Sequence, residues 1–458
     1  MIHICLVIAC NYGLFFGVPR ILQAVPQQEK IIRLNLKQCL ERAVEKDPEM
    51  MAKNADLGIA EAQYLQALSM KILPKFELTN ALTVAPGVNI INENLLDLET
   101  RNNWRQLGLF NRLEVSFIQP IFSFGRIRGG IEAARKGIEV REHGIKKQRH
   151  KITLRITKLY FSRLLSKELL ALAEEAMSTV EKAENTLTEL LKEGKNPDLN
   201  EADLYRLKLF KVELERMKRE ININNELSIS ALKSSLDIHE DEKFDISDEF
   251  LEARPHETLG IENYFELKEK CRPEIGQMNA ALAAQKKLSD VSFSFYYPQI
   301  FIGGGTTLSF TPIRDDINNP YLKDPFNYKS VFVYLGISMP LNFRQTRARV
   351  IQAKHELNKI EAQNTAIQKA INLEVQKAYL KHLEAKKNME EFQKALTISR
   401  EWKMTEQISF DLDGMNAKDL VDAVQAYLKT KASVFQAIFE YNVSIAELEY
   451  VTGTLGNH

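Results

Sequence analysis

Residues 116–134 read SFIQPIFSFGRIRGGIEAA, and how this stretch divides decides the fold. Its first part alternates apolar and polar side chains, the period of a half-buried strand. Its second part opens a run from Arg126 to Lys192 that contains no proline. Along that run Ile131, Ile138, Ile145, Ile152 and Leu159 recur every seven residues, and Ala173, Val180 and Leu187 extend the register. Such a stripe is the seam of a coiled coil. At about 1.5 Å per residue the run makes a rod of roughly 100 Å, longer than a compact domain needs. A strand thus passes into a rod with almost no loop between them.

The same passage occurs twice. GISMPLNFRQTRARVIQAK, 336–354, aligns with it, Pro340 on Pro120 and Ile351 on Ile131. Upstream, KDPEMMAKNADLGIAEAQ from Lys46 matches CRPEIGQMNAALAAQ from Cys271, and downstream Asn200 to Leu204 matches Asn416 to Leu420. The separations are 225, 220 and 216 residues, so three landmarks keep their order at a nearly constant offset. Internal repetition of this kind sets the fold before any local reading. In the second copy the seam runs through Val350, Ala353, Leu357, Ile360, Asn364, Ile367 and Ile371.

Each half then predicts one succession. A helix over 37–72 or 262–292 leads to strands near 73–85 and 110–121, or 296–311 and 329–340. The paired strands are joined by long polar connections. A long rod follows, and after a glycine-containing turn at Gly194 or Gly414 a helix returns over 200–236 or 416–451. The expected division is a signal peptide at 1–24, a first repeat at 25–236, a linker at 237–261 and a second repeat at 262–458. The N-terminal apolar run suits a secretory h-region and is short for a spanning helix, although its n-region lacks Lys and Arg. Val7 to Cys10 loosely resembles a lipoprotein acylation site. Cys39 and Cys271 are read as unpaired thiols. Charge is balanced at 61 basic and 61 acidic residues, which removes nucleic acid as the expected partner.

In FELTNALTV, Phe76, Leu78, Leu82 and Val84 alternate with Glu77, Thr79 and Thr83; in LEVSFIQ, Leu113, Val115 and Phe117 alternate with Glu114 and Ser116. About ten residues at a steep tilt cross an outer membrane, with one face to lipid and one to water. Four strands cannot close on themselves, so several copies must pool their strands to remove the edges. Pro120, Gly125 and Pro340 are expected to mark the bends where strand re-aims into helix, with Pro ending the ladder.

The twofold repeat, the QPIFSFGRIRGGIEAA segment and the DLVDA segment (419–423) together resemble the TolC family of outer membrane efflux proteins, over residues 36–452. The resemblance implies a mainly α fold with a small β part. Long antiparallel hairpins would form a coiled-coil tunnel in the periplasm, and four strands per protomer a 12-stranded trimeric barrel. It implies a homotrimer in outer membrane lipid, docked to a periplasmic adaptor and an inner-membrane pump, exporting solutes without enzymatic chemistry or cofactors. It places Asp419 and Asp422 at the periplasmic aperture, Asp203 at the equivalent place in the first half, and Gly194 and Gly414 at turns that contact the adaptor. A second reading of Asp419 and Asp203 is as the third residue of a helix capped by Asn416 or Asn200, stabilised by the helix dipole.

Trp104, Tyr321, Phe326 and Tyr328, in the strand connections, are candidates for an interfacial aromatic belt. Gly303 to Gly305 is read as part of a strand, since no Lys follows as a phosphate loop requires. His143 and His150 are read as solvated neighbours on a helix. The leading expectation is a passive exit duct of an efflux or type I secretion system. The alternative is a soluble periplasmic coiled-coil adaptor or scaffold.

Overall fold

A computed structural model describes residues 31–92, 99–193, 201–314, 324–413 and 417–456. The first half contains β1 (Ile32–Leu34), α1 (Leu36–Lys46), α2 (Pro48–Ile72), β2 (Lys75–Asn92), β3 (Glu99–Phe122), α3 (Arg126–Glu193) and α4 (Glu201–Ser235). The second contains β4 (Phe244–Ile246), α5 (Ile261–Cys271), α6 (Pro273–Phe293), β5 (Gln299–Phe310), β6 (Tyr328–Ser338), α7 (Phe343–Asp413) and α8 (Ala417–Thr452). The rods α3 and α7 are 68 and 71 residues long. Residues 1–24, expected as a signal peptide, and Gly194 and Gly414, expected in turns, lie outside the described residues.

The helix expected in front of each sheet is in fact two, broken at the proline that marked the repeat. A proline excludes the preceding residue from the α region, and Asp47 and Arg272 are accordingly extended, at ψ 122° and 119°. Asp47 caps α2 by accepting from the Met50 amide at 3.1 Å and also takes Arg155 of α3 at 2.5 Å. Arg272 closes the second break differently, donating to the Val451 carbonyl at 2.9 Å and to Glu374 at 2.5 Å. Both breaks are thereby pinned to a rod or a return helix.

β2, β3, β5 and β6 form one antiparallel sheet in that order. β2 and β3 are 18 and 24 residues long, so much of the stretch expected as a polar connection is ladder, reaching Asn92 opposite Glu99. Pro86 and Gly87, expected in that connection, stand at a bulge: Pro86 faces Leu107 and Gly87 faces Asn103. The intervening residues, Trp104 among them, are looped out of β3, which keeps the alternation on both sides of the bulge.

The main core forms where the middle of α3 meets everything else. Ile152, Ile156, Tyr160 and Leu164 pack with Cys39 of α1, Leu232 of α4, Phe244 of β4 and Ile438 of α8. Both cysteines are free: Cys39 is buried, which pushes its thiol up to about 12, and Cys271 is exposed. The linker contributes an element missed in the sequence: β4 pairs in parallel with β1, Phe244 opposite Ile32. Between the rods, Glu447 of α8 accepts from Lys158 of α3 at 2.6 Å and from Lys381 of α7 at 2.9 Å. Burial alone would raise its pKa, but the two lysines hold it below the usual range.

Candidate functional site

Register puts Phe76, Leu78 and Val84 of β2 in rows with Phe117, Val115 and Leu109 of β3, and Val115 in turn with Thr306 of β5 and Val331 of β6. This face is apolar and open: Leu82 and Leu335 are exposed, and Val331 is 82% exposed. The opposite face carries Glu77, Thr79, Thr83, Arg112, Glu114, Ser116 and Ser330, with Arg112 and Glu114 paired at 3.1 Å. Among the described residues β2 and β6 are each bonded on one side only. The sheet therefore has two unpaired edges, one apolar face and one polar face, as the alternation predicts.

The glycines of β5 are structural. A Cβ on Gly303 would meet the Tyr334 ring at 2.7 Å, and one on Gly304 the Phe117 ring at 2.7 Å. Rings lie across backbone here, which only glycine permits.

At the first strand–helix junction, Phe124 and Gly125 adopt φ 48° and 85°. A left-handed bulky residue is uncommon; the Phe124 ring is held by stacking on Tyr297 at 5.0 Å. Ser123 Oγ accepts from the Ile127 amide at 3.2 Å and starts α3. Gly125 stands between the end of β3 and the start of α3. Pro120, expected to end the ladder, stays in it opposite Phe301, and pairing continues through a bulge to Phe122 opposite Ile300. On its other side β2 has already ended its pairing, at Lys75 opposite Ile118. Pro340 does follow the end of β6 at Ser338. Arg126 and Arg349, near the starts of the two rods, lie 4.0 and 4.2 Å from the centroid of one ring, Phe295. Exposed aromatics concentrate at this end, with Phe122, Phe124, Phe293 and Tyr297 in mutual contact. The sequence carries them in two aromatic clusters, PIFSF and FSFYYP. Of the residues nominated for a belt, Trp104 is exposed on its bulge, Phe326 packs edge-on against Phe110 at 5.3 Å, Tyr328 begins β6, and Tyr321 lies outside the described residues.

At the far tips, Asp419 is half-buried in the first turn of α8 and Asp422 is exposed. Asp203, in the first turn of α4, is bound by Arg206 at 2.9 Å. Beside these carboxylates the two hairpins meet through Leu207, Leu420 and Val421, around a cavity of about 260 Å³ that Val180, Leu187 and Phe410 also line. Asn200, Asn416, Gly194 and Gly414 fall outside the described residues. His143 and His150 are packed, not solvated: the His143 ring lies over Gly276 of α6, and burial pushes both imidazoles below their ordinary range. Among the described residues no three His, Cys, Asp or Glu side chains are placed to hold a metal ion, and no helix is long and apolar enough to cross a membrane.

No family model and no curated protein matches the chain. Solved structures do, over nearly its whole length. The outer-membrane channel OprN is similar at 16% identity, with 97% of this chain and 99% of that chain covered and a TM-score of 0.75. CusC, described in terms of transmembrane channel formation, is similar at 14% identity, 97% and 99% coverage and a TM-score of 0.73. The Campylobacter jejuni CmeC outer membrane channel is similar at 16% identity, 97% and 94% coverage and a TM-score of 0.72. The chain has the fold of these channels.

Proposed function

We propose that the chain is one protomer of a homotrimeric outer-membrane exit duct of the TolC family, which passes solutes from a periplasmic adaptor and inner-membrane pump to the exterior. The observation that carries this reading is the sheet, apolar on one face, polar on the other and unpaired at both edges. An exposed apolar face of this kind needs a nonaqueous neighbour, and an open edge needs another strand. Joining β6 of one copy to β2 of the next meets both needs. Two copies would give eight strands, whose interior side chains fill; three give twelve and leave a water-filled bore. The family resemblance in the sequence favours three. The aromatics at the strand–helix end would then lie at the periplasmic interface of the membrane, and the polar face would continue into a tunnel walled by α3, α4, α7 and α8. Transport through such a duct requires no covalent chemistry.

The soluble adaptor or scaffold reading leaves the rows of Phe76, Leu82, Val331 and Leu335 in water, which disfavours it. Fractionation of cell envelopes tests the two readings. The duct stays with the outer membrane after a high-salt wash and is released by detergent as a trimer. Recovery of a monomer in the salt wash would overturn it.

A further inference from the structure

Arg126 opens α3 and Arg349 lies in the second turn of α7, and both guanidiniums sit on the ring of Phe295. Arg126 has neutral acceptors only: Gln299 Oε1 at 3.2 Å, and the carbonyls of Ser294 and Tyr297 at 3.3 and 3.4 Å. Its Nε is buried and has no acceptor. Arg349 is exposed, and among the described residues neither guanidinium has a carboxylate partner. Burial first, then the like charge of Arg349, lowers the Arg126 pKa. An aromatic ring attracts a cation but carries no net charge. Two positive charges are therefore held together with nothing to balance them.

Gln299 fixes the side of the sheet on which this pair lies. β5 pairs with β6 without a break from Gln299 to Ser309, so Gln299 shares a face with Thr307, which stands opposite Glu114 of the polar face. Arg126, bonded to the Gln299 side chain, is on that face too. Two residues further along β5 the same face turns aromatic. The rings of Phe301, Tyr334 and Phe332 lie over Gly336, Gly303 and Gly305, where a Cβ would meet them at 2.6, 2.7 and 3.3 Å. Tyr334 meets Phe301 edge-on at 5.9 Å and lies near-parallel to Phe332 at 6.1 Å. Phe332 and Tyr334 stay 42% and 44% exposed, so an otherwise polar face carries one strip of open π surface. Glu77 and Glu114 on this face are already paired, with Lys75 and Arg112.

We propose that the arginine pair and the rings beside it form a binding station for small aromatic anions in the bore, where the barrel meets the helical tunnel. The proposal rests on the duct reading above, under which the polar face lines the bore and three copies bring six guanidiniums to one ring. Rings of arginine favour anions in pores, and a guanidinium matches a carboxylate with its planar fork. A carboxylate borne on an aromatic ring satisfies both parts of the station: the charge balances the arginines, and the ring packs on Phe301 or Tyr334. An aliphatic carboxylate satisfies only the first part. The station stands at the opposite end of the rods from Asp419 and Asp422, so it acts on a solute apart from the acidic tips.

The test uses the full chain in planar lipid bilayers, with salicylate as the probe added to either side in turn. Salicylate should block the wild-type current about five-fold more tightly than cyclohexanecarboxylate does. Arg349→Gln, which removes an exposed charge, should weaken salicylate block roughly ten-fold and move the reversal potential in a KCl gradient toward cation selectivity. Tyr334→Leu should weaken block by salicylate and leave block by cyclohexanecarboxylate unchanged, which separates the ring from the charge. Salicylate block of Arg349→Gln at wild-type concentrations would overturn the proposal, as would equal block of the wild type by the two carboxylates. Should Arg349→Gln fail to assemble, Tyr334→Leu and the comparison of the two carboxylates decide. Absence of channels from the wild-type protein would instead overturn the duct reading.

Discussion

His382 of α7 is fully buried, and each ring nitrogen meets one hydroxyl, Thr258 Oγ1 and Ser444 Oγ, both at 3.0 Å. It stacks on Tyr441 at 5.5 Å and meets His256 edge-on at 5.2 Å. Through Thr258 it clasps the linker to the rods, and Asn442 adds a second clasp by bonding the Arg254 amide and the Glu252 carbonyl, each at 2.8 Å. Burial first, then His256 and Lys386, push the His382 imidazole down from 6.5 to about 4. A folded pKa below the unfolded one means that the contribution is complete above about 6.5 and is lost as pH falls toward 4. Across that window the loss is about 3 kcal/mol. Urea unfolding of the purified protein followed by circular dichroism should show stability falling between those pH values, and His382→Gln should flatten the slope there. Equal slopes in variant and wild type would remove His382 as the cause.

Among the elements, β5 carries three consecutive glycines with no room for a side chain. A Cβ on Gly304 would stand 2.7 Å from the Phe332 carbonyl oxygen as well as from the Phe117 ring, and backbone cannot give way as a side chain can. Gly304→Val should therefore lower the amount of folded protein in the membrane several-fold, measured as heat-modifiable trimer on gels. Gly58, in the middle of α2, has nothing within 4 Å of such a carbon. Gly58→Ala should be harmless or stabilise by about 0.5–1 kcal/mol through helix propensity. Gly304→Val assembling as well as Gly58→Ala would contradict the register of β5 against β3 and β6. The rods themselves needed little beyond their seams. Ala353, Leu357, Ile360 and Ile367 are covered in α7, while the residues between them are largely exposed, as a narrow stripe requires.

In the whole molecule, apolar stripes remain that the chain itself does not cover. Tyr205, Leu209, Val212, Ile223 and Leu227 are exposed on α4, and Leu373, Leu380 and Ile398 on α7. In the proposed trimer, contact between neighbouring copies would supply partners for both. In that arrangement the tips would converge, and the Asp419 and Asp422 carboxylates of three chains would face one axis, where like charges focus cations. Asp419→Ala combined with Asp422→Ala should weaken block of the channel by multivalent cations in planar bilayers. Unchanged conductance and block would remove both from the aperture. Asp203 is a weaker candidate than in the sequence reading, because Arg206 already neutralises it.

Local periods wrote most of this architecture into the sequence: heptads gave the rods, alternation gave a two-faced sheet, and the duplicated prolines gave the order of parts. Such features depend on near neighbours along the chain, so they survive without knowledge of anything distant. What folding alone decided has no period. The parallel pair of β1 and β4, the hydroxyl clasp on His382 and the tie from Arg314 to Pro86, 228 residues away, each hold down a segment whose own sequence looks like loop. Even Pro120 changed meaning for this reason: it stays in the ladder opposite Phe301 of β5, while β2 on its other side has already ended at Lys75 opposite Ile118.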